Sequence, residues 1–165
     1  MTPEFIDKHL SISPSVEYVD NVKGWECEVR WKGNIVNTFF PPLFGHTRSL
    51  FYFLHQNKKY IVKVDRHEDF SQCPEEIDVW NNIKRYHRKY FVPILHGSMG
   101  KGVGPGWVVV PYIHNLGIHP AKPRHYKTIE RLEDYYDLAD MRVNNNWFIV
   151  SNAPLIVDYG VRPWM

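Results

Sequence analysis

The feature that most constrains this chain is a pair of short apolar runs on either side of a turn. The first run is Trp147 to Val150, and the second is Leu155 to Val157. Ser151 to Pro154, between them, contains residues that favour turns. The pattern predicts a β-hairpin. Because a hairpin brings its two ends together, Asn145 before the first run and Asp158 after the second are expected to be neighbours.

A second pattern combines a charged residue within an apolar strand and a helix that begins soon afterwards. Tyr60 to Val64 is apolar apart from Lys63, which predicts a strand with one cation that needs a partner. Pro74 then opens a helical stretch, since Pro suits the first helical position and acidic residues suit the positive end of the dipole. Glu76 shares a helical face with the apolar Val79, so this face is expected to point into the protein. Because Lys63 needs a partner, we predict an ion pair between Lys63 and Glu76. The alternative is a solvated Lys63 on an edge strand and a Glu76 that serves only the helix dipole.

Two separations along the chain give a resemblance to a known family. Asp140 precedes Asn145 by five residues, and Asn145 precedes Asp158 by thirteen. The chain resembles the protein kinases, in which the pattern H-R-D-x-x-x-x-N is followed by D-F-G at a similar distance. The strand that contains Lys63 is similar to the V-A-I-K strand of that family. Stripped-down kinase-like proteins of bacteria and phages are the members that it resembles.

The resemblance implies ATP and Mg²⁺ as cofactors and a role for each matched residue. Asp140 would orient or deprotonate the acceptor hydroxyl, and Arg142 would contact the transferred phosphate. Asn145 and Asp158 would hold Mg²⁺, a cation that prefers oxygen ligands. Lys63, oriented by its ion pair, would contact the phosphates of ATP.

Two further segments would complete the nucleotide site. Gly45 and Thr47 lie in the loop that would cover the phosphates, although only Gly45 survives from the family pattern G-x-G-x-x-G. Pro111, Tyr112 and Ile113 would form the hinge between the lobes, where backbone groups bind an adenine edge.

The resemblance also implies an α+β fold in one kinase-like domain. This fold would comprise an N-lobe, with a twisted antiparallel sheet and one αC-type helix, and a remnant C-lobe with one helix and the catalytic hairpin. We predict an N-terminal extension with an extra hairpin at 1–38, the N-lobe at 39–114, and the hinge with a minimal C-lobe at 115–165. The periodicity predicts the C-lobe helix over Thr128 to Ala139. Within the extension, Trp25 to Lys32 alternates as a half-buried strand does, whereas the residues before it show no firm period.

Departures from the family pattern leave three functions open. Leu138 and Ala139 replace the His and Arg of H-R-D, and only five residues follow Gly160, too few for an activation segment or substrate-binding helices. The first function is an ATP- and Mg²⁺-dependent phosphotransferase that transfers the γ-phosphate to a protein hydroxyl, its own included. The alternative is a pseudokinase-type module that binds and regulates a partner protein. The third is a small-molecule kinase, a class that builds its acceptor pocket from a larger helical C-lobe.

Composition and charge exclude several classes of protein. A chain of 165 residues with 44% hydrophobic residues can bury a substantial core as one domain. A net charge of +2 does not indicate a dedicated nucleic-acid binder. We interpret the basic cluster Lys84 to Tyr90 as the solvated end of the helix that contains Glu76. The alternative is a surface that attracts phosphates or an acidic protein partner.

Cysteine usage and hydropathy predict a cytoplasmic location without a membrane partner. Cys27 and Cys73 lie far apart without C-x-x-C spacing, and the sequence has no signal peptide and no membrane-length apolar run. The nine histidines show no tight ligand spacing, so we predict no zinc site.

Overall fold

The computed structural model describes residues 1–19, 21–38, 47–69, 71–100, 104–113, 121–139, 141 and 146–159. These residues form an α+β fold with three α-helices and mostly antiparallel sheets, so the predicted fold class is confirmed at this level. The chain divides into two compact units. The first comprises Met1–Pro74 and Ile94–Tyr112, and the second comprises Glu75–Pro93 and Ile113–Met165.

The first unit begins with a short helix that leads directly into a long hairpin. Helix α1 spans Pro3–His9, and the hydroxyl of Thr2 caps it by accepting a backbone hydrogen bond. Strand β1 (Leu10–Val19) pairs antiparallel with β2 (Val22–Trp31) over its full length. The two-residue strand β3 (Asn34–Ile35) then pairs with the end of β2.

The strand predicted over Trp25 to Lys32 is confirmed as far as Trp31, as part of the longer β2, and Lys32 lies in the turn that follows. Lys32 and Gly33 follow β2 with positive φ angles of 50° and 80°, as the central residues of a tight hairpin turn do. Strand β1 was not predicted because its residues show no firm hydrophobic period. Its backbone groups are satisfied by pairing with β2.

A five-stranded antiparallel sheet forms the rest of the first unit. Its strands are β4 (Asn37–Thr38), β5 (Arg48–His55), β6 (Lys58–Asp65), β7 (His96–Ser98) and β8 (Trp107–Pro111). Their order across the sheet is β4-β5-β6-β8-β7, so β6 is the central strand. The core of this unit is one apolar cluster, in which the Trp31 and Phe53 rings stack at 4.0 Å; its buried members are Ile6, Val29, Trp31, Phe51, Phe53, Val62, Val64 and Val109.

Two further helices and a hairpin complete the described elements. They are α2 (Cys73–Asn82), whose first two residues belong to the first unit, α3 (Pro123–Tyr136), β9 (Trp147–Val150) and β10 (Ala153–Ile156). A single 3₁₀ turn at Arg88–Tyr90 follows α2. None of the helices in the described ranges is both long enough and apolar enough to cross a membrane.

Helix α3 is shifted from its predicted span. It begins at Pro123 rather than Thr128 because Pro occupies its first turn and the Lys122 N–H donates to the His125 side chain at 2.9 Å. It ends at Tyr136 rather than Ala139 because Asp137 adopts a left-handed conformation, with φ of 52°.

Candidate functional site

The predicted hairpin is confirmed, and it closes tightly at the end opposite its turn. Strands β9 and β10 pair antiparallel through a two-residue turn in which Ser151 and Asn152 both have positive φ. At the other end, the carbonyl of Asn146 accepts hydrogen bonds from the N–H groups of Val157, at 2.8 Å, and Asp158, at 3.2 Å. The backbone that precedes β9 and the backbone that carries Asp158 are therefore neighbours.

The residue after Asp158 anchors this end of the hairpin. Tyr159 is completely buried, and its hydroxyl donates to the Val92 carbonyl at 2.8 Å. Its ring meets the edge of Phe91 at 5.2 Å, and the Val92 N–H donates to the carbonyl of Ile156. These contacts position the backbone of Asp158, a partly exposed residue that has further interactions within the protein.

Four predicted site residues lie outside the described residues: Gly45, Asp140, Arg142 and Asn145. The residues beside Asp140 are informative even so. Leu138 and Met141, on either side of Asp140, are both buried in the second unit.

Lys63 lies in the centre of the sheet. In the central strand β6 it is opposite Leu50 of β5 and Val108 of β8, and it is only 7% exposed. The alternative of a solvated lysine on an edge strand is therefore wrong. A buried ammonium group requires compensating partners, and Lys63 does interact with other groups of the protein.

Glu76 is completely buried in the first turn of α2, whereas Glu75 is only partly buried. Val79, predicted to share the face of Glu76, is also buried, as is Ile83 just after the helix. The choice of Glu76 for the apolar face is confirmed, and its pairing with Lys63 stays a prediction.

Asp65, at the end of β6, caps helix α2, a role that the sequence analysis missed. Its fully buried carboxylate accepts hydrogen bonds from the Ser71 hydroxyl at 2.6 Å and from the N–H groups of Gln72 and Cys73 at 3.0 and 3.1 Å. It thereby satisfies donors at the start of the helix. The Cys73 thiol also lies 3.6 Å from the Lys63 carbonyl. The strand of Lys63 and the first turn of α2 are thus joined directly.

A glycine opposite Asp65 completes this corner. The Asp65 N–H donates to the Gly106 carbonyl at 2.9 Å, and a Cβ atom at Gly106 would lie 2.6 Å from the Asp65 carboxylate. Only glycine fits this position without a rearrangement of the capping carboxylate.

Thr47 belongs to the same corner. Its hydroxyl donates to the Gln72 side-chain oxygen at 2.9 Å, and its carbonyl accepts from the Arg66 N–H at 2.8 Å. In this structure the hydroxyl predicted to contact a phosphate is therefore bonded within the protein.

The predicted hinge follows directly from β8. Pro111 is the last residue of that strand, and the Tyr112 N–H donates to the Lys59 carbonyl at 3.0 Å. Pro111, Tyr112 and Ile113 are all partly exposed. Because the Tyr112 N–H is already bonded within the sheet, an adenine edge would have to use another backbone group of this segment.

In the described ranges, no group of three or more His, Cys, Asp or Glu residues is placed to hold a metal ion. The predicted ligands are of a different kind, one carboxylate and one amide oxygen, which suit Mg²⁺. The hydrogen bonds from Val157 and Asp158 to Asn146, the neighbour of Asn145, fit such a pair.

No protein-family model matches this sequence, and no curated protein is significantly similar to it. The resemblance to kinases therefore depends on the motif spacings in the sequence.

Proposed function

We propose that this protein is an ATP- and Mg²⁺-dependent phosphotransferase of the protein-kinase type, which transfers the γ-phosphate of ATP to a hydroxyl of a protein, its own included. The observation that carries the proposal is the closed end of the hairpin. There the Asn146 carbonyl accepts from both Val157 and Asp158, as required if Asn145 and Asp158 are to share one metal ion.

Each residue has a distinct role in this proposal. Asp140 accepts the proton of the acceptor hydroxyl. At the same time, the oxygen of that hydroxyl bonds to the γ-phosphorus and the bond between the γ-phosphorus and the leaving ADP breaks. Lys63 and Arg142 stabilise the charge on the phosphate oxygens. Asn145 and Asp158 hold Mg²⁺, which neutralises the phosphates when bound.

We further propose that Lys63 and Glu76 form the ion pair that orients the lysine. Both side chains are buried, and an isolated buried charge of either sign is strongly unfavourable. Glu76 follows Cys73 by one helical turn, and the Cys73 N–H is bonded to Asp65, two residues after Lys63. The cap at Asp65 therefore supports the pairing.

Two observations favour the second candidate, a pseudokinase-type module that binds and regulates a partner protein. The Thr47 hydroxyl is bonded to Gln72, and the Tyr112 N–H is bonded to Lys59, so two predicted nucleotide contacts are used within the protein. No observation on the described residues favours a small-molecule kinase.

A thermal-shift titration tests the proposal against this second candidate. We expect millimolar ATP with Mg²⁺ to raise the unfolding temperature of the wild type, because a ligand that binds only the folded state stabilises it. At 100 times the dissociation constant the gain is about 2.7 kcal/mol. The gain should shrink with EDTA and in Lys63→Met, each measured against its own nucleotide-free baseline. An unchanged midpoint at millimolar ATP would favour the binding module.

A further inference from the structure

A groove of about 320 Å³ lies in the second unit, between the segment after α2 and one face of α3. Its lining combines aromatic, hydroxyl, imidazole and cationic groups: Tyr86, His87, Lys89, Tyr90, Thr128, Arg131 and Leu132. None of these residues has a role in the proposed phosphotransfer.

The interpretation of the basic cluster Lys84 to Tyr90 as the solvated end of the helix that contains Glu76 is wrong. Helix α2 ends at Asn82 and has no basic residue in its last turn. The segment 84–90 follows it with four Lys or Arg residues and no acidic residue, whereas the whole chain has a net charge of only +2. The dipole of helix α2 therefore does not account for this concentration of positive charge.

Aromatic rings, rather than carboxylates, accompany these cations. The Lys84 ammonium lies 4.8 Å from the centre of the Tyr135 ring, and the Lys89 ammonium lies 5.0 Å from that of Tyr90. Among the described residues, neither Lys89 nor Arg131 forms an ion pair with an acidic side chain. Within that part of the chain, no carboxylate therefore neutralises these two charges.

Hydrogen bonds to one tyrosine hold the groove in shape. The Tyr136 hydroxyl accepts from the Lys84 N–H at 3.0 Å and lies 2.8 Å from His87 Nδ1. The segment after α2, which carries Lys89, is thereby attached to α3, which carries Arg131.

The imidazole of His87 reports the positive potential of the groove. Burial lowers its pKa, and the charges of Lys84, Arg131 and Lys89 lower it further. The same potential that disfavours an imidazolium ion would attract an anion.

We propose that this groove binds a phosphorylated segment of a partner protein, with the phosphoryl group between Lys89 and Arg131. Arginine and lysine form strong charge-assisted hydrogen bonds to phosphate, and the Thr128 hydroxyl adds a further donor. Tyr86, Tyr90 and Leu132 supply apolar surface for the side chain that carries the phosphate.

A compact recess with two lining cations suits one phosphoryl group better than a nucleic-acid strand. A strand requires a basic path along several phosphates, and the net charge of the whole chain is low. The inference is independent of ATP binding, so it can hold or fail separately from the proposed phosphotransfer.

Fluorescence anisotropy tests this inference on the full chain. The probes are labelled peptide pools with a central phosphoserine or phosphotyrosine between random flanks, and the same pools without phosphate. We expect one phosphorylated pool to bind at least about tenfold more tightly than its unphosphorylated counterpart, as a charge-assisted contact implies. Arg131→Ala and Lys89→Ala should each weaken that binding by about tenfold.

The matched control is Lys58→Ala, which removes one exposed cation from the first unit and should leave binding unchanged. All three positions are exposed, and thermal unfolding of each variant verifies that it folds. Equal binding of phosphorylated and unphosphorylated pools, or undiminished binding by Arg131→Ala, would overturn the inference. Tighter binding of a labelled oligothymidylate that depends on Arg131 would replace it with a nucleic-acid site.

Discussion

Replacement of Asp158 by Asn should reduce the transfer of phosphate from ATP by at least about 100-fold, the typical loss when a single group that stabilises transition-state charge is removed. Asn retains the shape of the side chain but loses the negative charge that binds Mg²⁺. The measurement is the initial rate of radiolabelled γ-phosphate incorporation, into the protein itself and into a host lysate.

The fold should survive this replacement because two anchors at this end of the hairpin do not use the Asp158 carboxylate. The Asp158 N–H bonds to the Asn146 carbonyl, and the Tyr159 hydroxyl bonds to the Val92 carbonyl. Asp137→Asn is the matched control, since Asp137 is exposed and left-handed, a conformation that Asn tolerates well. If Asp158→Asn and Asp137→Asn both transfer phosphate at the wild-type rate, Asp158 is not a metal ligand.

Asp65→Ala should lower the free energy of unfolding by about 1.5 to 5 kcal/mol. The replacement removes a helix cap, which costs about 0.5 to 2 kcal/mol. It also leaves the buried Cys73 N–H without its acceptor, at a cost of about 1 to 3 kcal/mol. Urea denaturation followed by tryptophan fluorescence measures the change.

Asp65→Asn is the control for this prediction, because an amide oxygen can still accept from the Gln72 and Cys73 N–H groups. It should lose distinctly less stability than Asp65→Ala. Gly106→Ala tests the cap independently. The new Cβ would lie 2.6 Å from the Asp65 carboxylate and displace it, and such overpacking costs about 1 to 3 kcal/mol. Wild-type stability in both Asp65→Ala and Gly106→Ala would show that the cap does not stabilise α2.

The features predicted correctly from the sequence depend on residues close together along the chain. The hairpin of β9 and β10 is local, because two apolar runs and a turn that tolerates positive φ suffice to define it. Burial of Glu76 followed from the helical spacing of its neighbours on α2. The strand that contains Lys63 was predicted from its apolar run, whereas the burial of Lys63 depends on pairing with β5 and β8 on either side.

The features that were missed depend on distant partners or on unusual caps. Asp65 caps α2 from eight residues before Cys73, so no local capping pattern marks it. Strand β1 contains Pro14 and alternating serines, and it becomes a strand through its pairing with β2. Helix α3 begins with a cap formed by Lys122 and His125, residue types that rarely serve as caps.

The basic cluster at 84–90 shows a different limit of sequence reasoning. Its charge suited the last turn of a helix, but α2 ends at Asn82, two residues before it. The tyrosines of α3 that hold the cluster are about fifty positions away, at Tyr135 and Tyr136. Long-range contacts of this kind leave no signal in a local pattern.

Affinity labelling of Lys63 tests the central claim most directly. An acyl-phosphate derivative of ATP transfers its acyl group to a lysine amine beside the bound phosphates: an amide bond forms, the acyl–phosphate bond breaks and ATP is released. Mass spectrometry after digestion identifies the lysines that are modified. The account predicts acylation of Lys63 that requires Mg²⁺, is suppressed by excess ATP and is lost in Asp158→Asn. Acylation confined to exposed lysines such as Lys58 and Lys84, unaffected by excess ATP, would contradict it.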